Sequence, residues 1–248
     1  MKLHRGTSEA VIQSLKLIFE ENKYADKVIE KVLKQNSKWG SRDRRFIAET
    51  TYDIVRWYRW FRELAQSRST DFWRLLGVWC LLSGVDLPAW DEFNGLSPEV
   101  VREREKRTIY SRKIRESIPD WLDEIGEKEL GKDKWESELS ALNEIAPVVL
   151  RTNTLKVSKT ELQTRLDEEG VESVMLESYP DALVLKERQN IFGSPCFKEG
   201  LFEVQDAGSQ AISPFLRITA GMRVIDGYAG AGGKTVRLAA LLKNKGRS

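Results

Sequence analysis

The sequence predicts a multidomain chain: an all-α N-terminal bundle over residues 1–146, a small α/β module over 147–205, and over 206–248 the opening strand, loop and helix of a larger α/β domain. Three observations lead there. Apolar residues recur at helical spacing from residue 7 to about 146. After Ala146-Pro147 the period becomes mixed, with short apolar runs divided by turn residues. Val224 to Leu242 then runs from an apolar segment ending on Asp226, through four glycines, into a second helical pattern.

Bulk properties narrow the classes. A hydrophobic content of 41% with eight tryptophans is ample for a core. Forty basic against 38 acidic side chains give a formal net charge of +2, so any basic surface must be local. Cys80 and Cys196 lie far apart without metal-ligand companions, and His4 is the single histidine, which argues against a zinc site, a metal centre or a disulfide framework and suits a reducing cytoplasm. No run approaches the length of a membrane span or a signal-peptide core. A cytoplasmic protein without a membrane partner is expected.

In chain order, Ser8 is expected to cap a helix carrying Val11, Ile12, Leu15, Ile18 and Phe19, and Ala25, Val28, Ile29, Val32 and Leu33 mark a second. Ser41 or Asp43 opens one longer helix with Ile47, Thr51, Ile54, Tyr58, Phe61 and Ala65 in phase. Thr70 is expected to cap a helix that is apolar nearly all round, from Phe72 to Leu82. Ser97-Pro98-Glu99 combines a cap, a proline at the first helical position and an acid in the first turn. Asp120–Leu130 and Asp133–Ile145 complete the helical half.

Two basic features in that half could meet RNA. In Arg56-Trp-Tyr-Arg-Trp-Phe-Arg62 aromatics interleave with arginines, although helical spacing also suits a core with arginines snorkelling outward. Arg102 to Arg115 holds seven Lys or Arg against Glu103, Glu105 and few apolar residues, so Arg104, Arg107 and Arg112 are candidate phosphate contacts as readily as members of a solvated helix.

Beyond Pro147, Val148–Asn153 reads as a strand, Ser158 caps a helix bearing Leu162 and Leu166 that stops at Gly170, and Ser173–Glu177 and Ala182–Lys186 are short strands around a Tyr-Pro-Asp turn. Phe197 to Gln210 has no clean core pattern. Three kinds of cofactor loop compete for Asp226-Gly-Tyr-Ala-Gly-Ala-Gly-Gly-Lys-Thr235. A phosphate-binding loop needs glycine where Tyr228 stands, and a dinucleotide fingerprint needs one at Thr235. What remains is Gly-x-Gly-Gly at the head of a helix after an acidic strand end, similar to the first motif of class I S-adenosylmethionine-dependent methyltransferases. A plain tight strand-to-helix connection is the alternative.

The ordered set Arg151-Thr-Asn153 with Leu155-Lys156, then Gly200-Leu-Phe-Glu-Val-Gln-Asp-Ala-Gly-Ser-Gln210, then Asp226 to Thr235 resembles the RsmB/Sun (Fmu) family of RNA cytosine-5 methyltransferases. The likeness is strong from Ser117 to Lys245. The helical half is loosely similar to the NusB-like RNA-binding domain that many members carry, which tilts the expected partner towards ribosomal RNA. The resemblance implies a Rossmann-like methyltransferase domain and S-adenosyl-L-methionine held by Tyr228, Ala229, Gly230, Ala231, Gly232, Gly233 and Lys234. It also implies a loop oriented by Asp226, a Gln205-Asp206 segment beside the cofactor, and Arg151 and Asn153 on the substrate-side module, where structural hydrogen bonding is the competing role. Tyr228 and Gly230-Ala231 depart from the family's usual Cys and Ala-Pro, which leaves the loop freer.

The chemistry the resemblance implies is covalent. A cysteine thiolate adds to C6 of an unstacked cytosine and a second cysteine releases the product. Both family cysteines follow the glycine loop. Here Met222 to Ser248 offer one strand and one helix, so the expectation is the front part of such an enzyme, without its catalytic cysteines and inactive alone. Pro195-Cys196 imitates the catalytic dipeptide ahead of the loop and is expected to be structural. The competing reading is a non-catalytic RNA- or protein-binding module.

Overall fold

The computed structural model describes residues 2–66 and 71–246. The chain divides into two compact units, Met1–Glu144 and Ile145–Ser248.

The first unit is helical. Helix α1 spans Arg5–Phe19, α2 Ala25–Gln35, α3 Ser41–Arg56, α4 Tyr58–Ala65 and α5 Phe72–Leu82. The first helix starts earlier than Ser8: that hydroxyl lies inside the helix and donates to His4 O at 2.9 Å instead of capping. The single helix expected after Ser41 is two, broken at Trp57 (φ −103°, ψ 24°). The apolar phase hardly changes across the break, so Ile47, Ile54, Phe61 and Ala65 are all still buried. Helix α5 is capped by Asp71, whose carboxylate accepts from Arg74 N; the expected cap, Thr70, lies outside the described residues. Its Leu75, Leu76, Val78 and Cys80 are fully buried, as an all-round apolar helix requires.

A 3-10 turn at Asp91–Phe93 leads to α6, Pro98–Thr108, where Ser97 accepts from Val100 N and proline takes the first position. The short α7, Arg112–Arg115, precedes the antiparallel pair α8, Asp120–Leu130, and α9, Lys132–Asn143. Ile118, Trp135 and Leu139 form a small separate core there. The pair closes over Gly126, where a Cβ would stand 2.2 Å from the Trp135 ring.

The second unit begins with a four-stranded antiparallel sheet. Strand β1 is Val149–Thr152, α10 Lys159–Glu168, β2 Ser173–Met175, β3 Ala182–Leu185, α11 Pro195–Lys198 and β4 Phe202–Val204, in spatial order β2-β3-β1-β4. This is a split β-α-β arrangement, with a four-residue helix as the second crossover. Leu150 stands opposite Leu183 and Val204 and packs with Leu162, Leu166 and Phe202. Side chains alternate along a strand, so Arg151 leaves by the other face. Ser158 caps α10 by accepting from Glu161 N at 3.2 Å, and Gly170 (φ +74°) ends it. Strand β4 falls inside the stretch whose sequence shows no core pattern, because only Phe202 of its three residues is buried.

Helix α12, Ala207–Phe215, packs against β1, and α13, Gly233–Leu241, packs against α12. The strand expected at Val224–Asp226 is not formed. That backbone is irregular after an isolated bridge residue at Arg223, and Ile225 is 95% exposed. A strand needs a neighbour for its ladder, whereas a helix closes its own hydrogen bonds. No helix among the described residues is long and apolar enough to cross a membrane.

Gly126→Ala should lower the urea midpoint of the helical unit. Overpacking against Trp135 costs about 1–3 kcal/mol, more than the roughly 1 kcal/mol of helix propensity that alanine adds. A raised midpoint, with an unchanged near-ultraviolet tryptophan signal, would refute the packing.

Candidate functional site

The glycine loop is organised by one carboxylate. Asp226 Oδ1 accepts from Tyr228 N (3.1 Å) and Oδ2 accepts from Thr235 Oγ1 (2.8 Å), so both ends of the loop are tied to one side chain. Gly230 (φ +51°) and Gly232 (φ +85°) adopt the left-handed conformation that glycine enters without strain. A Cβ at Gly227 or Gly232 would meet nothing within 4 Å. The loop therefore has an open flank, and the first amides of α13 lack helical acceptors beside it. Tyr228, Ala229, Gly230, Ala231 and Gly233 are exposed, while Gly232 and Lys234 are half-buried.

A buried cation fastens this loop to the sheet. Arg151, 3% exposed on β1, donates through Nη1 to Gln205 Oε1 at 2.6 Å and Gly233 O at 2.7 Å. Burial pushes its pKa down, as does the nearby Arg237, against smaller opposing contributions from Glu203 and Asp181. Gln210, also buried, donates from Nε2 to Gln205 O (2.9 Å) and Leu150 O (3.4 Å). Asp206 caps α12 by accepting from Ser209 N. Lower on α13, Arg237 pairs with Asp181 of the β2–β3 turn. Sequence reasoning missed Arg237, Asp181 and Gln210; nothing local marks them, although an arginine three positions past Lys234 on an otherwise apolar helix face is a signal of sorts.

Most of the candidate RNA contacts are engaged within their own unit. Arg151 is internal, and Asn153 is used structurally: its Nδ2 donates to Gly200 O at 2.8 Å and its Oδ1 accepts from Leu155 N. In the helical unit Arg104 donates to Leu64 O at 2.8 Å. Arg112, with its side chain 11% exposed, donates to Asp123 (2.7 Å) and Glu127; the two carboxylates hold its pKa above the ordinary arginine value, and the guanidinium in turn depresses that of Asp123. Arg107 stays on the surface in an i,i+4 pair with Glu103. In the aromatic stretch, Phe61 is buried and Trp57, Tyr58 and Trp60 half-buried, with Trp60 Nε1 donating to Thr108 Oγ1 and Arg59 reaching Ile118 O and Asp120. That is the core arrangement with arginines turned outward.

Both cysteines are buried and free. Burial pushes the Cys80 thiol up to about 12. Cys196, fully buried, is pushed to about 11 by burial and by the adjacent Glu169, whose carboxylate accepts from Cys196 N and Ser194 Oγ. Neither is poised as a thiolate.

Residues 118–192 match a family model described as the ferredoxin-like domain of RsmF/B-like methyltransferases. The match takes in α8, α9 and β1 to β3. A probable ribosomal RNA small subunit methyltransferase B from Synechocystis sp. is 29% identical over 94% of this chain and 60% of its own length. Over residues 118–192 the chain thus carries a domain similar to the ferredoxin-like domain of RsmF/B-like methyltransferases. Ribosomal RNA small subunit methyltransferase B proteins from Pseudomonas putida and from Escherichia coli O6:K15:H31 are 32% and 33% identical over about half of the chain and 28% of their own lengths. The chain therefore spans less than two thirds of these relatives. In fold it is similar to the crystal structure of PH0851 (TM-score 0.67, 24% identity), covering 99% of this chain and 63% of that one.

Two outcomes follow. Replacing Arg151 by Met strands Gly233 O and Gln205 Oε1 and should cost roughly 1.5–3 kcal/mol, the scale of a hydrogen bond to a charged group. All eight tryptophans precede Ile145, so hydrogen exchange must report it, as faster exchange over residues 226–236; unchanged protection there would dismiss the clamp. Iodoacetamide at mildly alkaline pH should leave both thiols of the folded chain unmodified and label both after denaturation. Rapid labelling of native Cys196 would contradict its structural role.

Proposed function

We propose that this chain supplies the RNA-side modules and the methyl-donor loop of an S-adenosyl-L-methionine-dependent RNA (cytosine-5)-methyltransferase acting on ribosomal RNA. The observation that carries the reading is the glycine loop. Its two left-handed glycines, its open flank and the head of α13 are held by Asp226 and fastened through Arg151 to a split β-α-β module of the methyltransferase family. The ribosomal substrate in this reading comes from the similarity to ribosomal RNA small subunit methyltransferase B proteins.

The residues present fit the proposed donor. Glycine at 230 and 232 lets a ligand approach the backbone, and the positive end of α13 suits a carboxylate. Lys234 stands at the first turn of that helix and makes no ion pair among the described residues. We assign Tyr228 to Lys234 to the cofactor. When bound, the donor supplies an electrophilic methyl group. The chain's own part is to seat it, with Asp226 fixing the loop before binding so that less ordering is needed on association.

The thiolate that cytosine-5 chemistry requires is not provided by Cys80 or Cys196, both buried and raised in pKa. The 248 residues should accordingly contribute binding and positioning without methyl transfer. For the RNA side, the geometry favours Arg107, which leaves Glu103 at small cost, over Arg112, Arg104, Arg151 and Asn153, which are engaged internally. The helical unit takes the NusB-like RNA-binding role in this reading.

Calorimetric titration with S-adenosylmethionine tests it. Gly232→Val should weaken binding at least about ten-fold, because a β-branched residue at φ +85° is strained, and Lys234→Ala should weaken it several-fold through loss of the carboxylate partner. Both variants should keep the wild-type circular dichroism spectrum. Equal affinity in all three proteins would remove the loop from the cofactor site, and robust methylation of RNA by the chain alone would contradict the assignment of both cysteines.

A further inference from the structure

Gln205 follows directly on β4, and its backbone is pinned from two sides. Its N–H donates to Val149 O on β1 (3.0 Å), and its carbonyl accepts from Gln210 Nε2 (2.9 Å). The side chain is held as well, because Oε1 accepts from Arg151 Nη1 at 2.6 Å. A guanidinium can only donate, so the end of the amide that meets Arg151 must be the oxygen, and the NH2 group is the end left over.

That end lies at the head of α13. Gln205 Nε2 stands 3.6 Å from the place a Cβ on Gly233 would occupy, beside the first residue of the helix. It donates to nothing among the described residues, and unlike Gln210 Oε1 it is not sealed from solvent. One end of the amide is thus fixed by a buried cation, while the other offers its N–H donors where the first amides of α13 and the side chain of Lys234 already favour an anion. An amide oriented by the fold before a ligand arrives loses little freedom on binding.

We infer that Gln205 is a binding residue of the methyl-donor site, with Nε2 donating to the carboxylate of the donor's amino-acid part. The inference rests on the donor-loop reading above and adds to it a side chain from outside the loop. An amide nitrogen cannot accept a hydrogen bond, so the ammonium group of the same amino acid is not what Gln205 meets. Arg151 gains a consequence beyond fastening: it sets which end of the amide faces the ligand.

Calorimetric titration of the full 248-residue chain with S-adenosylmethionine and with decarboxylated S-adenosylmethionine, which lacks only that carboxylate, provides the test. Gln205→Glu keeps an acceptor for Arg151 and replaces the donor by a second oxygen. It should weaken S-adenosylmethionine binding at least about ten-fold, the low end for a hydrogen bond to a charged group, and should not weaken the decarboxylated ligand. Equal losses for the two ligands would show a merely structural role and overturn the inference, as would a wild-type chain that binds both alike. Should the variant fail to fold, or the decarboxylated ligand bind too weakly to titrate, nuclear magnetic resonance on the wild-type chain decides: the side-chain amide signals of Gln205 should shift on saturation with S-adenosylmethionine, and their standing still overturns the inference. Binding that Gly232→Val weakens and Gln205→Glu leaves untouched removes Gln205 while keeping the loop reading. Failure of the wild-type chain to bind S-adenosylmethionine overturns this inference together with the reading beneath it.

Discussion

The second unit depends on a guanidinium taken out of water. Arg151 sits on an inner strand of the sheet, is 3% exposed, and feels the charge of another buried arginine, Arg237, on α13. Two buried cations repel, and desolvation adds to the cost. The structure offsets this with neutral acceptors at Gln205 and Gly233 for one and with the Asp181 carboxylate for the other. The consequence reaches beyond charge balance. Gly233 O belongs to the first turn of α13, so the head of the glycine-loop helix is positioned by a side chain of the sheet, and the loop and the split β-α-β module are fixed to each other as one piece of machinery.

The same internal use of arginine thins the surface that an RNA could meet in the helical unit. Seven basic residues between Arg102 and Arg115 read as a dense phosphate-contacting run, yet Arg112 is enclosed by Asp123 and Glu127 and Arg104 is bonded to a carbonyl of α4. The magnitudes separate these from Arg107. An exposed i,i+4 pair such as Arg107–Glu103 is worth about 0.3–0.5 kcal/mol, which one phosphate contact exceeds. Withdrawing Arg112 would leave Asp123, 15% exposed at its side chain, without its cation, and breaking a pair of that kind by removing one partner costs about 3–5 kcal/mol when fully buried. Arg112 is thus a fastener between α7 and α8.

Legibility in the sequence followed the range of the forces involved. Helices governed by local periodicity and caps were readable: Ser97 and Ser158 cap where expected, and α5, apolar nearly all round, leaves none of its residues fully exposed. The break at Trp57 was not, because an apolar pattern in phase across it hides a change of direction. Ser8 misled, since a hydroxyl one turn into a helix can bond back to a carbonyl as readily as cap an amide. Strand β4 was hidden by its single buried residue. The family motifs located the loop correctly on a helix N-terminus, but a motif records that Arg151 and Asn153 stand in a given order and not which way they point; both turn to structural partners.

The contrast between α13 and the segment before it shows why the glycine loop can be ordered while the residues that feed it are not a strand. Helix α13 satisfies its own backbone and gains from burying Leu238, Leu242 and the Arg237 stem against the neighbouring elements. Val224 to Asp226 has no adjacent strand among the described residues to supply a ladder, and Ile225 is left facing outward. What holds the loop in that circumstance is the Asp226 carboxylate, which closes on Tyr228 N at one end and Thr235 Oγ1 at the other. An interaction spanning nine positions in sequence substitutes locally for a sheet. The acidic residue at the end of the expected strand thereby keeps its role even where the strand itself is absent.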